Sequence, residues 1–449
     1  MTRCLRTAAL CIAALLALRI GAQEALTLEK ALRITAEHSL QADVSRLDLT
    51  SAKLGTNLAE SFYYPRLDLS AGHVNLNYPV TFVAGPLIFP STQKAYWQYS
   101  ITVREVLWDF GRRTWAMRAS HERELATASS GGDSVLKAQA EVAGRYVALL
   151  TLVAQQDVVT MRKKALEDHL RVVQDLFQQG VVARNDLLRT EVALRSVGDQ
   201  ASSLEASRAT AAEALNKAMG LEPRAASVLP HGLPPPPPLP WDDEACRQRA
   251  LKNNEGLKAI EAKVRGFGDA VTFNRRDFYP SIVGEYSHAY TQNRYLLYPY
   301  VNSLFVGLSF NVFDGGAKSA RVRMAQTDQA KAQRELAEAQ RAVEIAVDQQ
   351  LRDFWESLKE TDTARANVDA SVENLRIIED QYKEGIARTI DVLDAESVLA
   401  ESRFSEAQTY YQAYVKQAAL LAAMGEDLAI FYGGLRAPET PKEADHGSR

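Results

Sequence analysis

Gly180-Val181-Val182-Ala183-Arg184-Asn185-Asp186-Leu187-Leu188-Arg189-Thr190-Glu191 is echoed by Gly385-Ile386-Ala387-Arg388-Thr389-Ile390-Asp391-Val392-Leu393-Asp394-Ala395-Glu396, and that echo decides how the chain is read. Gly180, Asp186, Leu188 and Glu191 fall on Gly385, Asp391, Leu393 and Glu396 at one constant offset of 205 residues. Met219-Gly220 falls on Met424-Gly425 at the same offset. A constant offset over that distance leaves no room for an insertion or deletion, so the two stretches are copies of one unit. Further upstream, Tyr64-Pro65 recurs as Tyr279-Pro280 at an offset of 215. The first copy therefore carries about ten extra residues between its two alternating segments, which reads as a longer loop. Between the copies lie Pro234 to Pro238 and Pro240, a polyproline connector excluded from helix and from central strand. These landmarks divide the chain into a first repeat over 23–220, a Pro-rich linker over 221–240 and a second repeat over 241–436.

Within each copy the expected order is a helix, two strands and two long helices. Trp97, Tyr99, Ile101 and Val103 alternate with Gln98, Ser100, Thr102 and Arg104, and Leu304, Val306, Leu308, Phe310 and Val312 repeat the period of two. The partner segments, roughly 66–83 and 281–292, are less regular. Apolar parity switches near Gly72, from Leu67 and Leu69 to Val74, Leu76 and Tyr78, which predicts a bulge or a change of environment there. The connections 84–94 and 293–299 are rich in aliphatics and tyrosine and read as the tips of two hairpins. Elsewhere the period is helical. Val343, Val347, Leu351, Phe354 and Leu358 form one seam, and Val135, Val142 and Leu149 another. A proline-free run from Arg112 to Gln179 predicts a helix on the order of 100 Å long at about 1.5 Å per residue. No compact core needs that length; a cylinder of helices does.

Composition narrows the class. Arg3 and Arg6, an apolar run from Ala8 to Leu18 and Gly21-Ala22 read as a secretory signal peptide over 1–22. Its removal takes the formal charge from -4 to -7, which excludes a basic nucleic-acid footprint, and leaves Cys246 as the one remaining cysteine of three. Packing, not disulfides, must then hold the fold. After the signal no window offers about eighteen consecutive apolar residues, so a membrane location has to be reached through strands. Four strands cannot close a barrel within one chain, and a lipid-facing sheet tolerates no open edge. Strands must then be pooled, two chains giving eight or three giving twelve. The competing reading is an exported soluble coiled-coil scaffold whose four strands pack on its own helices.

The residues that separate these readings carry a family resemblance. Gln178-Gln179-Gly180-Val181-Val182-Ala183-Arg184-Asn185-Asp186-Leu187 and Tyr382-Lys383-Glu384-Gly385-Ile386-Ala387-Arg388-Thr389-Ile390-Asp391-Val392-Leu393-Asp394-Ala395 resemble the paired periplasmic tips of TolC-like outer-membrane efflux proteins. Leu107-Trp108-Asp109-Phe110-Gly111 and Val312-Phe313-Asp314-Gly315-Gly316 resemble that family's strand-to-helix junctions, as Tyr-Pro resembles its strand entries. The likeness extends from about Leu26 to Tyr432. It implies a mostly α fold with a membrane β-barrel: a trimeric duct with a twelve-stranded barrel in the outer membrane and a long α-helical barrel in the periplasm. It also implies an adaptor protein gripping the tips at Gly180, Val181, Ala183, Gly385, Ile386 and Ala387, and an inner-membrane pump behind it.

Two further roles follow from the resemblance. Asp391 and Asp394, one helical turn apart, match acidic positions that line the periplasmic aperture, where a ring of carboxylates favours cations. Asp391 is equally readable as a helix cap. Asp186 and Tyr382 match two members of a closed-state latch. The family's arginine position is occupied by Ala387, so either Arg388, one place later, completes the latch with Asp186 or the latch is absent. Small-molecule efflux is the implied task, and a duct for type I protein secretion is the alternative, since the pump selects the cargo.

Nothing in the sequence points to catalysis, a cofactor or a metal. Asp109-Phe110-Gly111 mimics a kinase triplet without a catalytic or phosphate loop. His38, His73, His121, His169, His231, His288 and His446 lack ligand spacing and are expected on the surface or in a lumen. The charged, Pro-containing segment 437–449 reads as a disordered tail.

Overall fold

The computed structural model describes residues 25–226, 228–230 and 232–433. The expected signal peptide and tail, with His231 and His446, lie outside the described residues. Helices α1 (Leu28–His38) and α2 (Leu40–Ser61) lead to strands β1 (Arg66–Asn75), β2 (Thr81–Ala84), β3 (Leu87–Pro90) and β4 (Ala95–Trp108), then to α3 (Arg112–Gln178) and α4 (Arg184–Ala218). The second series is α5 (Asp243–Asn253), α6 (Glu255–Arg276), β5 (Ser281–Thr291), β6 (Tyr300–Ser309), α7 (Ala317–Lys383) and α8 (Thr389–Met424), closed by α9 (Leu428–Tyr432). The duplication holds at element boundaries. α1, α2 and β1 begin 215 residues before α5, α6 and β5, whereas β4, α3 and α4 begin 205 residues before β6, α7 and α8. The step between these offsets falls where β2 and β3 are inserted.

Local chemistry is duplicated too. Thr27 Oγ1 accepts from the Lys30 amide at 3.2 Å to start α1, and Asp242, its counterpart, accepts from the Ala245 amide at 2.7 Å to start α5. Asp109 accepts from the Gly111 and Arg113 amides at 3.1 and 2.9 Å, and Asp314 accepts from those of Gly316 and Lys318 at 3.1 and 2.8 Å. At these aspartates the chain passes from β4 into α3 and from β6 into α7. α3 and α7 have 67 residues each, about 100 Å of helix at about 1.5 Å per residue.

The described residues form two compact units. One comprises the chain up to Arg46, 131–255 and the chain from Gln340; the other comprises 47–130 and 256–339. The first is helical. Its largest core cluster joins Leu32 of α1, Tyr146 and Leu150 of α3, Leu215 of α4 and Met219 at its C-cap, Tyr414 and Leu421 of α8 and Tyr432 of α9. A second cluster joins Cys246 and Ala250 of α5 to Val347 and Leu351 of α7 and Leu420 and Met424 of α8. The Pro-rich linker is strapped to α8. Tyr410 donates to the Leu233 carbonyl at 2.8 Å, Tyr414 to that of Pro234 and Gln417 to that of Pro237. Positions 410, 414 and 417 share a helix face, so one stripe serves carbonyls that a polyproline segment cannot satisfy internally.

The second unit contains an antiparallel sheet in the order β1-β4-β5-β6 and a separate β2-β3 hairpin. No bulge occurs at Gly72. The β1–β4 register runs unbroken from Arg66↔Arg104 to Asn75↔Ala95, and the β4–β5 ladder shifts only between Val106 and Trp108. The surroundings change instead: residues 66–71 of β1 are all exposed, whereas Gly72 and Val74, on the face opposite Leu67 and Leu69, are half-buried. Beyond Asn75 the chain leaves the ladder, and β2 belongs to a hairpin with its own register, Thr81↔Pro90 to Ala84↔Leu87. Phe310 and Val312 also fall beyond the end of β6 at Ser309, because β5 begins at Ser281 opposite it and offers no further partner; Lys318 Nζ donates to the Asn311 carbonyl there at 2.7 Å.

Candidate channel wall and helix-hairpin tips

Register sorts the sheet into two chemical faces. Leu67, Val103, Tyr286 and Leu304 form one cross-sheet row, Leu69, Ile101, His288 and Asn302 the next, and Ala71, Tyr99, Tyr290 and Tyr300 a third. In that last row the Tyr99–Tyr290 and Tyr290–Tyr300 ring centroids lie 5.1 and 4.9 Å apart. The opposite face carries Asp68, Ser70, Ser100, Thr102, Arg104, Glu285 and Ser287, with Val301 and Phe305 on its outer strand. There Ser70 and Ser100 hydroxyls meet at 2.8 Å, and Arg104 reaches Glu285 at 2.6 Å. The aliphatic face is open: Leu69 is 73% and Leu304 77% exposed. Both outer strands, β1 and β6, lack a further strand neighbour among the described residues. On α2, Leu40, Val44, Leu47, Leu54 and Leu58 form an exposed stripe at coiled-coil spacing.

The two tips share one turn. Gly180 and Gly385 both take φ of 75°, the left-handed conformation that glycine adopts without a Cβ clash. The Val181 amide donates to the Leu176 carbonyl at 2.9 Å and the Ile386 amide to that of Gln381 at 2.8 Å, the long bond of a Schellman closure. Val181 and Ile386 are exposed on the turn. The helix starts after the turns differ. Ala183 precedes α4 without a side-chain cap. Arg388 precedes α8, and the Asp391 carboxylate accepts from its amide at 2.8 Å and from its guanidinium at 3.2 and 3.3 Å. The Arg388 side chain, then its amide, hold the Asp391 carboxyl below the usual carboxylate range. Asp394, one turn on, is exposed and has no side-chain partner among the described residues.

Within one chain no bond joins Asp186, Tyr382 and Arg388 among the described residues. Asp186 has no side-chain partner there. The Tyr382 hydroxyl lies 3.4 Å from Thr389 Oγ1, and its ring centroid lies 5.2 Å from that of His169. His169 is half-buried: burial lowers its pKa, and its Nε2 is buried without a hydrogen-bond partner. Glu396, visible in the sequence only as a repeated letter, is 7% exposed. Burial, then Glu379, push its carboxyl up against the pull of Arg162 and Arg403, while Arg162 donates to Ser397 Oγ at 2.7 Å. Single-residue spacing gave no signal for this cluster, because its members come from α3, α7 and α8.

No group of His, Cys, Asp and Glu among the described residues is arranged to hold a metal ion. No described helix is long and apolar enough to cross a membrane. A groove of about 760 Å³ between α7 and α8 has polar walls, with Glu356, Lys359 and Glu360 facing Ser405, Gln408 and Thr409.

A duplicated helical chain whose paired hairpins share one turn and whose strands form an open two-faced sheet defines a subunit of a strand-and-helix duct. The family model for outer membrane efflux proteins matches residues 31–221 and 246–426, one segment per repeat, and the chain belongs to that family. Protein CyaE of Bordetella pertussis is 24% identical over 423 residues, covering 89% of this chain and 84% of that protein. Among solved structures, the outer membrane protein VceC from Vibrio cholerae superposes with a TM-score of 0.75 at 16% identity, covering 89% of this chain and 96% of that one. The CmeC outer membrane channel of Campylobacter jejuni does so with a TM-score of 0.75 at 13% identity, covering 92% and 87%. The fold is thus that of the TolC-like channels, and the family is one of ducts, not of enzymes.

Proposed function

We propose that the chain assembles as a homotrimer, spans the outer membrane through pooled strands and serves as the exit duct of a tripartite efflux system for small molecules. The observation that carries this reading is the β1-β4-β5-β6 sheet, rich in aliphatic and tyrosine side chains on one face, with its ion pair and most of its hydroxyls on the other, and open at both edges. Open edges are untenable in hydrocarbon, so neighbouring copies supply the missing partners. Three copies give a twelve-stranded wall whose aliphatic face meets lipid and whose polar face lines water. The apolar stripe on α2 finds its partner in the same assembly. The exposed tips around Gly180, Val181, Ala183, Gly385, Ile386 and Ala387 offer an adaptor two equivalent handles per chain, six in a trimer. Asp394 projects charge at the aperture, where Asp391 is engaged as a cap. Asp186, Tyr382 and Arg388 form a latch only if the tips of neighbouring subunits meet. The duct itself needs no cofactor.

The test is extraction from outer membranes in mild detergent, measurement of oligomeric mass, and electron microscopy of the same particles. A trimer carrying a membrane-sized ring and a hollow stem, and conducting ions in planar bilayers, is the expected result. A water-soluble monomer overturns the reading. Loss of drug or metal-ion tolerance on gene deletion, with secreted proteins unchanged, assigns small-molecule cargo; the reverse pattern assigns protein cargo.

A further inference from the structure

The insertion that breaks the symmetry of the two repeats is the β2–β3 hairpin, and its chemistry is unlike that of a water-exposed loop. No Asp, Glu, Lys or Arg occurs from Leu69 to Gln93. The hairpin register sets Phe82 opposite Phe89 on one face and Val83 opposite Ile88 on the other, and all four are at least half exposed. Both faces therefore need cover. Lipid is a poor occupant, because among the described residues β2 and β3 pair only with each other and the hairpin would bring two open backbone edges into hydrocarbon. The second apolar patch lies in the β5–β6 connection, where Leu297 is 83% and Tyr298 75% exposed. That connection is held at its start, where Gln292 pairs with the Trp97 backbone and Asn293 Nδ2 donates to the Ser91 carbonyl at 2.7 Å, and its apolar tip stays exposed.

Topology brings the two patches together across a subunit boundary. Asn75 ends β1 and Tyr300 begins β6 at the same end of the sheet, the end marked by the pairs Asn75↔Ala95 and Tyr290↔Tyr300. If β1 of one copy pairs with β6 of the next, they run antiparallel, and the segment after β1 lies beside the segment before the neighbour's β6. We propose that the hairpin docks on the Leu297-Tyr298 tip of the adjacent copy, making a second, apolar seam at the rim above the strand pairing. The contact uses a different patch on each partner, so it closes a ring when repeated around a rotation axis. This inference rests on the trimeric-duct reading.

The test introduces Val83→Cys and Leu297→Cys, singly and together, into the full chain in native membranes. Cys246 is wholly buried, and the single variants control for other thiols. Mild oxidation of the double variant should give disulfide-linked dimers and trimers that neither single variant gives. Cross-linking within one chain of the double variant, or between two copies of the Val83→Cys single variant, overturns the proposal. A second measurement does not depend on cysteine geometry. Phe82→Asp with Phe89→Asp should leave a trimer that assembles but dissociates in detergent at a lower temperature than wild type. An unchanged dissociation temperature overturns the seam while leaving the duct intact. A wild-type protein that is monomeric by mass removes the underlying reading instead, so the two failures are distinguishable.

Discussion

Glu396 is buried and His169 half-buried, and burial acts on them with opposite sign. For the Glu396 carboxyl, burial and Glu379 raise the folded pKa above the ordinary value, so across that window the folded chain holds more protons than the unfolded one. Stability then falls as pH rises through it, and at neutral pH the ionised carboxylate is a cost. Glu396→Gln is expected to stabilise the protein by about 1 kcal/mol at pH 7.5, with the gain shrinking toward pH 4.5. For His169, burial lowers the folded pKa below 6.5, so the unfolded chain binds the extra proton. Stability from this group is complete above pH 6.5 and is lost as pH falls below it. His169→Gln should flatten melting temperature against pH between about 5 and 6.5, the range where a histidine changes charge. Melting curves of both variants across pH check the two signs; parallel profiles for variant and wild type would refute them.

At the scale of elements, the linker shows what a sequence can and cannot disclose. Five consecutive prolines state that residues 234–238 form neither helix nor ladder, but not what satisfies their carbonyls. For Pro234 and Pro237 the answer comes from Tyr414 and Gln417, 180 residues later, with Tyr410 serving Leu233 just before them, and no local pattern announces it. The long helices were legible because a seam such as Val347, Leu351 and Phe354 is periodic within a few turns of itself. The tip turns were legible because glycine is repeated at a position that requires it. The β2–β3 hairpin was not, since Val80, Phe82 and the aliphatics after Gly85 read as the end of one strand and its loop, and nothing local says that β1 stops at Asn75. Likewise Arg388 is tied to Asp391 by a cap that spacing allows but does not require. The strap makes a direct prediction. Tyr410→Phe and Tyr414→Phe each leave a linker carbonyl without its donor and should cost about 1–3 kcal/mol. Lower melting temperatures and faster proteolysis within 221–240 are the expected readouts. A linker cut no faster in the double variant would mean that packing against α8, not hydrogen bonding, holds it.

For the assembled molecule, the charge that an aperture presents depends on which carboxylates are already compensated. Asp391 and Arg388 sit 3.2 Å apart on the same helix start, so the pair contributes almost no net charge to an ion passing at a distance. Asp394 has no such partner among the described residues. Brought together from three chains, it supplies an uncompensated ring, and a ring of one sign selects ions of the other. Asp394→Asn should therefore abolish most of the cation preference measured as a reversal potential across a salt gradient in planar bilayers. Asp391→Asn combined with Arg388→Gln, which removes the pair without changing net charge, should leave the preference nearly intact while weakening the start of α8. The contrast should be large at low salt and fade toward 1 M, where screening reaches only about 3 Å. Equal loss of selectivity in the two variants would mean that the pair opens in the assembled duct and that Asp391 belongs to the ring. Unchanged selectivity in both would place the ion-selecting charge elsewhere along the lumen, with the polar face of the sheet the next segment to probe.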